Sequence, residues 1–237
     1  MTKFVHQGSD KKKYVKQMFN DISSTYDVIN IISSFGIDRY WRNRLINSIK
    51  LDSNQKLLDV ATGTGDVAFG FLKKYKVSVI GLDIAKNMIE IAKRKARKYS
   101  GDIIFIEGDA EKMKFDEDMF DALTISFGFR NVGSYDMALS EFYRVLNKSG
   151  KIAILEFSKP TSRWFAPIFK FYFNNVIPFI GSLLSRKDAY LYLPESVDYF
   201  LTRNDVCDKM KQAGFRNVRY KDYTFGIVSL YIGEKHE

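Results

Sequence analysis

The chain has 237 residues, 46% hydrophobic and 15% aromatic, which is enough for one sizeable core and too apolar for disorder. A single cysteine, Cys207, excludes an internal disulfide framework and fits a reducing compartment, and two histidines at the ends, His6 and His236, leave little for a zinc site or a Ser/His or Cys/His catalytic pair. The net charge of +9 fits nucleic acid, an anionic membrane surface, or simply solvated lysine-rich faces.

In chain order, residues 11 to 50 carry helical periodicity, with Tyr14, Met18, Phe19, Ile22 and Tyr26 on one side and then Trp41, Leu45, Ile46 and Ile49. The N-terminus shows no secretory signal, and no run of about 18 apolar residues predicts a transmembrane helix, so a cytoplasmic location is expected. Strands are predicted over 56–61, 77–82, 103–106, 121–126 and 151–156, with helices over 66–75, 85–99 and 134–146 between them. Lys93, Arg94, Lys95, Arg97 and Lys98 crowd the second of these helices behind Met88, Ile89 and Ile91, and read as a solvated face. Gly150, after Asn147-Lys148-Ser149, predicts a turn before the fifth strand. Residues 159–203 break the rhythm as an apolar insertion. A helix over 204–213, stopped by Gly214, precedes strands over 218–223 and 227–232. Their tight link at Gly226 predicts a hairpin, so the last strand should be antiparallel. Strand–helix alternation of this kind predicts an α/β fold, a Rossmann-like parallel sheet covered on both faces.

The stretch LLDVATGTGDVAFGF joins an apolar run to a helical pattern through Gly63 and Gly65. Such a turn lets the backbone approach a ligand, and it fits the dinucleotide pattern G-x-G-x-x-G/A. A diphosphate prefers a bare, positive helix N-terminus. Here Asp59 and Asp66 flank the loop, which suits the ammonium and sulfonium of S-adenosylmethionine better, although Asp66 could also simply cap its helix. Asp83 ends the second strand, where an acid accepts from ribose hydroxyls in either type of ligand. Asp109 and Ala110, past the third strand, suit the adenine amino group and ring, or an ordinary surface turn.

LLDVATGTGD, GLDIAKNMIEIAKRK, FIEGDAEKMKF and FDALTISFGFRNV, in that order, resemble the class I S-adenosylmethionine-dependent methyltransferases. The ubiquinone/menaquinone biosynthesis C-methyltransferases, demethylmenaquinone methyltransferase-like, are the most similar of these. STYDVINIISSFGIDRYWR, LEFSKP and DAYLYLPESV extend the resemblance from about residue 14 to 234. ISFGFRNV with LEFSKP is the specific part. Thr62 departs from the family's usual Gly-Gly-Thr-Gly-Asp, while Gly63 and Gly65 remain.

The resemblance implies a seven-stranded methyltransferase sheet with a reversed last strand. It implies one methyltransferase domain over 1–237: a helical cap (1–50), a cofactor-binding core (51–158), an apolar substrate-side insertion (159–203) and a final helix and hairpin (204–237). It places S-adenosylmethionine at Thr64, Asp83, Asp109, Ala110 and Ser126, beside Asp59, Gly63 and Gly65. It implies C-methylation of a demethylated polyprenyl quinol, demethylmenaquinol before a benzoquinol, with no metal.

A phenol titrates near about 10, so the ring hydroxyl must be helped to lose its proton. Arg130 follows the fourth strand and could stabilise the phenolate or orient a water; a surface or capping role is its alternative. Asn131 could orient the same hydroxyl, and Tyr26 could reach over the cofactor or sit in the core. Trp164, Phe165, Phe169, Phe171, Phe173, Ile177, Phe179 and Leu183 of the insertion could cover a polyprenyl tail or pack as a buried helical pair. Arg163, Arg186 and Lys187 flank them and suit anionic headgroups, which implies peripheral contact with a membrane surface. Tyr190, Tyr192 and Glu195 could wall the ring. A homo-oligomer is compatible with the sequence. A nucleic-acid methyltransferase would fit the charge, but the fourth strand lacks Asn/Asp-Pro-Pro-aromatic and no Pro-Cys pair is present, so no nucleic acid is expected. An NAD-dependent oxidoreductase and a non-catalytic lipid-binding module are the remaining alternatives.

Overall fold

Leu57, Leu58 and Val60 are fully buried, so the first strand, β1 (Lys56–Val60), must be covered on both faces. The computed structural model describes residues 7–184 and 187–236, without the side chains of 182–184, 187 and 188. In it β1 pairs in parallel with β2 (Ser78–Asp83) on one side and β4 (Phe120–Ser126) on the other. β3 (Ile103–Glu107) lies outside β2, and β5 (Leu146–Phe157) lies outside β4. The strand order therefore reverses between β1 and β4, and ligands of open α/β sheets bind at such a point, beyond the carboxyl ends of the strands.

The hairpin of β6 (Arg216–Tyr223) and β7 (Val228–Glu234) completes a seven-stranded sheet of order β3-β2-β1-β4-β5-β7-β6. β7 is antiparallel to both β5 and β6. The last strand of the chain is thus the reversed one, but it lies inside the sheet and β6 forms the edge. Burial explains the order. Val228, Leu230 and Tyr231 of β7 are buried, whereas Arg216, Arg219 and Lys221 of β6 are exposed, and charge on an edge strand discourages pairing with other chains.

One predicted turn is corrected. β5 runs unbroken from Leu146, and the segment around Gly150 is a bulge: Phe120 pairs with Leu146, but Ala122 pairs with Lys151. Ser149 takes φ +64° there. The Ser149 N–H donates to the Lys235 carbonyl at 3.0 Å, and the Lys235 N–H donates to the Gly150 carbonyl at 2.8 Å. The end of the chain therefore satisfies backbone groups that a free turn would leave to water.

Helices cover both faces. α1 (Gly8–Ile22), α2 (Tyr26–Ser34) and α3 (Ile37–Ser48) precede the sheet. α4 (Asp66–Tyr75) and α5 (Lys86–Ala96) follow β1 and β2, and α6 (Tyr135–Val145) follows β4. The insertion is helical: α7 (Phe165–Phe171), a π-helical turn over Tyr172–Val176, α8 (Ile177–Leu184) and α9 (Lys187–Asp198). α10 (Arg203–Gln212) starts behind Thr202, which accepts from the Asp205 N–H while the Asp205 carboxylate accepts from the Thr202 N–H. One core layer holds Leu45, Phe71 and Leu72 beneath α3 and α4, and the opposite layer holds Leu139, Phe142 and Met210 beneath α6 and α10. A third cluster joins α1 and α2 to the insertion through Met18, Ile22, Ile29, Phe173, Ile177 and Tyr192. No described helix is long and apolar enough to cross a membrane.

Candidate active site

The glycine loop turns through three residues with left-handed backbone, Ala61 at φ +49°, Gly63 at φ +57° and Gly65 at φ +92°. The two glycines serve different ends. A Cβ on Gly65 would lie 2.7 Å from the Phe69 ring and 2.9 Å from the Phe105 ring, so this glycine lets α4 pack on the sheet. A Cβ on Gly63 would meet only Tyr26, at 3.9 Å, so its face toward the crevice is open. Gly65→Ala is therefore expected to cost about 1–3 kcal/mol by overpacking, with left-handed strain added. Gly63→Ala is expected to cost only the strain, about 1–2 kcal/mol, and to weaken cofactor binding instead. Denaturant melts beside calorimetric titrations check this reversal of rank.

Two small clefts adjoin the loop. One, about 80 Å³, is lined by Gly63, Asp83, Asp109, Ala110, Ser126 and Asn131, among others. The other, about 30 Å³, is lined by Arg42, Asp59, Thr62, Gly63, Thr64, Asp66 and Ser126, among others. Every predicted cofactor residue except Gly65 thus lines a cleft, and Gly65 supports the loop from behind. Ser126 Oγ is buried without a hydrogen-bond partner and belongs to both clefts. An unmade buried hydrogen bond costs about 1–3 kcal/mol, so this hydroxyl fits a site whose ligand completes it.

The acids are held more firmly than their positions in the sequence suggest. Asp83 Oδ2 accepts from the Gly63 N–H and Oδ1 from the Ala85 N–H, both at 2.8 Å. Burial pushes its carboxyl up to about 6, against the pull of these backbone bonds. Asp59 accepts from the Thr62 hydroxyl at 2.6 Å and the Thr124 hydroxyl at 2.7 Å, and burial pushes it also up to about 6. Both are strained toward the neutral form, and a cation placed beside them would relieve that strain.

Four expectations change in detail. Thr64 Oγ1 donates to Asp27 Oδ1 at 2.6 Å, so its hydroxyl ties the loop to α2. Asp109 Oδ2 accepts from Lys12 Nζ at 2.8 Å and its Oδ1 from the Glu111 N–H, so this acid is already paired. Asp66 does not cap its helix with its side chain; Lys95 at 3.2 Å and Arg42 at 3.6 Å face it instead. Lys95 is thus not part of a plain solvated face. Its Nζ lies 2.7 Å from Asp27 Oδ2 and donates to Thr64 Oγ1 at 2.9 Å, strapping α5 across the glycine loop to α2.

Beyond the loop lies an apolar cavity of about 510 Å³, walled by α1 to α3 on one side and by the insertion on the other. Phe165, Phe169 and Phe173 line it together with Tyr190 and Tyr192, whereas Glu195 is not among the lining residues. Arg163 is exposed; Arg186 lies outside the described residues, as does the Lys187 side chain. Tyr26 lines this cavity and both clefts, so it stands where the three spaces meet. Burial pushes its phenol up, so the hydroxyl stays protonated.

Arg130 also lines the cavity, and it is no surface residue. Its Nη1 donates to Glu156 Oε1 at 2.6 Å and to the Phe127 carbonyl at 2.7 Å, and its Nε donates to Ser196 Oγ at 3.2 Å. Nη2 takes no part in these bonds. Asn131 belongs to the larger cleft, and its Oδ1 accepts from the Tyr192 hydroxyl at 3.1 Å. Asn131 thus fixes a wall of the cavity from the cofactor side, whereas the sequence suggested contact with the same ring hydroxyl as Arg130.

Sequence reasoning missed Lys11, Lys12, Asp38, Arg42 and Glu156. Lys11 Nζ donates to the Arg130 carbonyl at 2.6 Å, and burial lowers its pKa to about 8. The lysines were hidden by a lysine-rich composition. Asp38 and Arg42 are spaced i, i+4 inside the quoted stretch SFGIDRYWR, and Glu156 lies in LEFSKP, so a signal for these three was present.

Residues 7–235 match the ubiE/COQ5 methyltransferase family. The chain is 42% identical over 231 residues to the ubiquinone/menaquinone biosynthesis C-methyltransferase UbiE of Geotalea daltonii, across 96% of this chain and 98% of the relative. It is 40% identical over 228 residues to the demethylmenaquinone methyltransferase of Deinococcus radiodurans, across 95% and 94%. Among solved structures, the [4+2]-cyclase SpnF superposes with a TM-score of 0.71 at 15% identity, over 98% of this chain and 99% of that one. A Haemonchus contortus phosphoethanolamine N-methyltransferase 2, solved with S-adenosyl-L-methionine, superposes at 0.65 and 14% identity, over 83% and 52%. These two are likenesses of fold. Sequence and fold agree, and the chain belongs to the ubiE/COQ5 methyltransferase family.

Proposed function

We propose that this chain methylates a ring carbon of a demethylated polyprenyl quinol, demethylmenaquinol, with S-adenosylmethionine as donor. The observation that carries the reading is the apolar cavity of about 510 Å³ that meets the two glycine-loop clefts at Tyr26. A methyl donor with a charged end and a greasy aromatic acceptor need adjoining spaces of this kind. The names of the Geotalea and Deinococcus relatives support the substrate class.

S-adenosylmethionine, when bound, supplies an electrophilic methyl group on a sulfonium. Asp83 is assigned to the ribose, Asp109 and Ala110 to the adenine side, and Ser126 Oγ to whichever donor or acceptor reaches it first. Asp59, Gly63, Thr64 and Gly65 shape and charge the loop end. Arg130 presents Nη2 to the ring oxygen as negative charge develops there, while Glu156 and Phe127 hold the rest of the guanidinium still. Asn131 steadies the Tyr192 wall, and Tyr26 separates the donor from bulk water. Holding both partners in near-attack geometry is worth about 7–11 kcal/mol in favourable cases. The helical cap, core, insertion and final hairpin act as one domain in this reading.

The cavity also supports a peripheral stance on a membrane. Phe35, just past the end of α2, is 84% exposed, and Phe171 and Phe179 of the insertion are 65% and 63% exposed. The Phe35 and Tyr172 rings meet tilted, with centroids 5.9 Å apart, so the end of α2 and the insertion offer one apolar rim beside the cavity. The whole reading is tested by quinone mass spectrometry in cells lacking and then regaining the chain. A quinone short by one methyl group, restored on complementation, is the expected result; an unchanged quinone pool contradicts it.

A further inference from the structure

We propose that Asp38 is the proton acceptor for the ring hydroxyl of the substrate, an inference that rests on the quinol reading above. Among the described residues lining the apolar cavity, Asp38 is the only acid. It is 5% exposed, in the first turn of α3. Ser34 Oγ donates to its Oδ1 at 2.8 Å, and Arg42 Nη1 pairs with its Oδ2. Each carboxylate oxygen has two acceptor sites, so a donor from the cavity can still be received. A carboxylate only accepts. Within apolar walls it therefore favours a ligand oxygen that carries hydrogen, the hydroxyl of a quinol over the carbonyl of a quinone.

Its place is at the cofactor end of the cavity. Arg42 binds Asp38 on one side and lies 3.6 Å from Asp66, at the glycine loop, on the other. Arg42 also lines both the cavity and the smaller cleft. Asp38 is thus one guanidinium away from the loop, where the methyl acceptor must lie. The other polar groups nearby are unsuited to take a proton. The Arg42 and Arg130 side chains only donate, Tyr26 stays protonated, and Glu156 does not line the cavity and already accepts from the Arg130 N–H, the Arg130 guanidinium and the Phe157 N–H.

A free carboxylate is far weaker as a base than a phenolate, so the transfer runs together with carbon attack. As the ring carbon bonds to the methyl group, the hydroxyl becomes strongly acidic and its proton passes to Asp38. The C–CH₃ bond forms with a ring electron pair, and the S–CH₃ pair stays on sulfur as a neutral thioether. The methylated carbon then loses its hydrogen to water as a proton and the ring becomes aromatic again. Asp38 returns its proton to the ring oxygen. One proton is released per turnover, and the carboxylate is regenerated.

The test uses the full chain and a short-tailed demethylated naphthoquinol. Asp38→Asn is expected to lower kcat by about 100-fold or more, with calorimetric affinity for S-adenosylmethionine unchanged. Without the methyl donor, quenching of Trp41, which lines the cavity, should show that the wild type binds the quinol more tightly than the quinone and that Asp38→Asn loses this preference. Asp38→Ala serves as the second variant, and added formate is expected to restore part of its turnover. Wild-type turnover in Asp38→Asn, an intact quinol preference in that variant, or no rescue by formate overturns the assignment. A wild-type chain that binds the methyl donor but methylates neither ring form instead overturns the quinol reading itself.

Discussion

Arg130→Ala is expected to destabilise the fold by about 3–5 kcal/mol, because it leaves Glu156 buried and charged without its partner. Glu156 is 0% exposed and accepts from both the backbone N–H and the guanidinium of Arg130. The Phe127 carbonyl loses a donor in the same step. Turnover should fall further than folding alone explains, since the cavity loses a fixed cation, while affinity for S-adenosylmethionine should change little. Arg130→Ala/Glu156→Gln separates the two effects. It should regain most of the lost stability in urea melts, because the orphan charge is gone, and regain none of the turnover. A double variant with restored activity would remove Arg130 from the chemistry.

Asp83→Ala is expected to weaken S-adenosylmethionine binding by about 100-fold, on the scale of one charged hydrogen bond of about 1.5–3 kcal/mol. The loss has two parts, the acceptor offered to the ligand and the hold on the Gly63 N–H. The pH dependence follows from burial. Asp83 and Asp59 rise from an ordinary 3.8 to about 6 in the folded chain. A raised carboxyl pKa means that the folded state holds the proton longer than the unfolded state. Each group's contribution to stability therefore falls as pH rises from about 4 to about 6, by about 3 kcal/mol. A cationic ligand reverses the preference, since it favours the ionised form. Affinity should weaken as pH falls through about 6 in the wild type, and Asp83→Asn should flatten part of that slope in calorimetric titrations. An affinity independent of pH between 5 and 8, roughly the range in which such groups titrate, would contradict the burial argument.

The sheet was legible because its strands are short apolar runs closed by glycine turns, and because a link as short as that at Gly226 allows only a hairpin. The rank of β7 inside the edge was not legible, since it depends on which of two neighbouring strands carries charge outward. The Gly150 turn misled because Asn-Lys-Ser-Gly is turn chemistry, whereas tertiary pairing with Lys235 made it a bulge. Within the site, the loop, the acids near the ends of β1 and β2 and the acid just past β3 were legible from their spacing. Their partners were not: Lys12 meets Asp109 across 97 positions, and Lys95 meets Thr64 across 31. Such long-range pairs leave no local pattern. Asp38 and Arg42 did leave one, four residues apart, but their importance appears only when the cavity around them is seen to hold no other acid among the described residues.

The central claim is that a donor cleft and an apolar acceptor cavity meet at Tyr26 so that a methyl group passes from one to the other onto carbon. The direct measurement incubates the purified chain with isotopically methyl-labelled S-adenosylmethionine and a short-tailed demethylated naphthoquinol, and locates the label by nuclear magnetic resonance. The label is expected on the ring carbon beside a hydroxyl. Label on a ring oxygen, or a quinol returned unlabelled by a chain that has bound the donor, would contradict it.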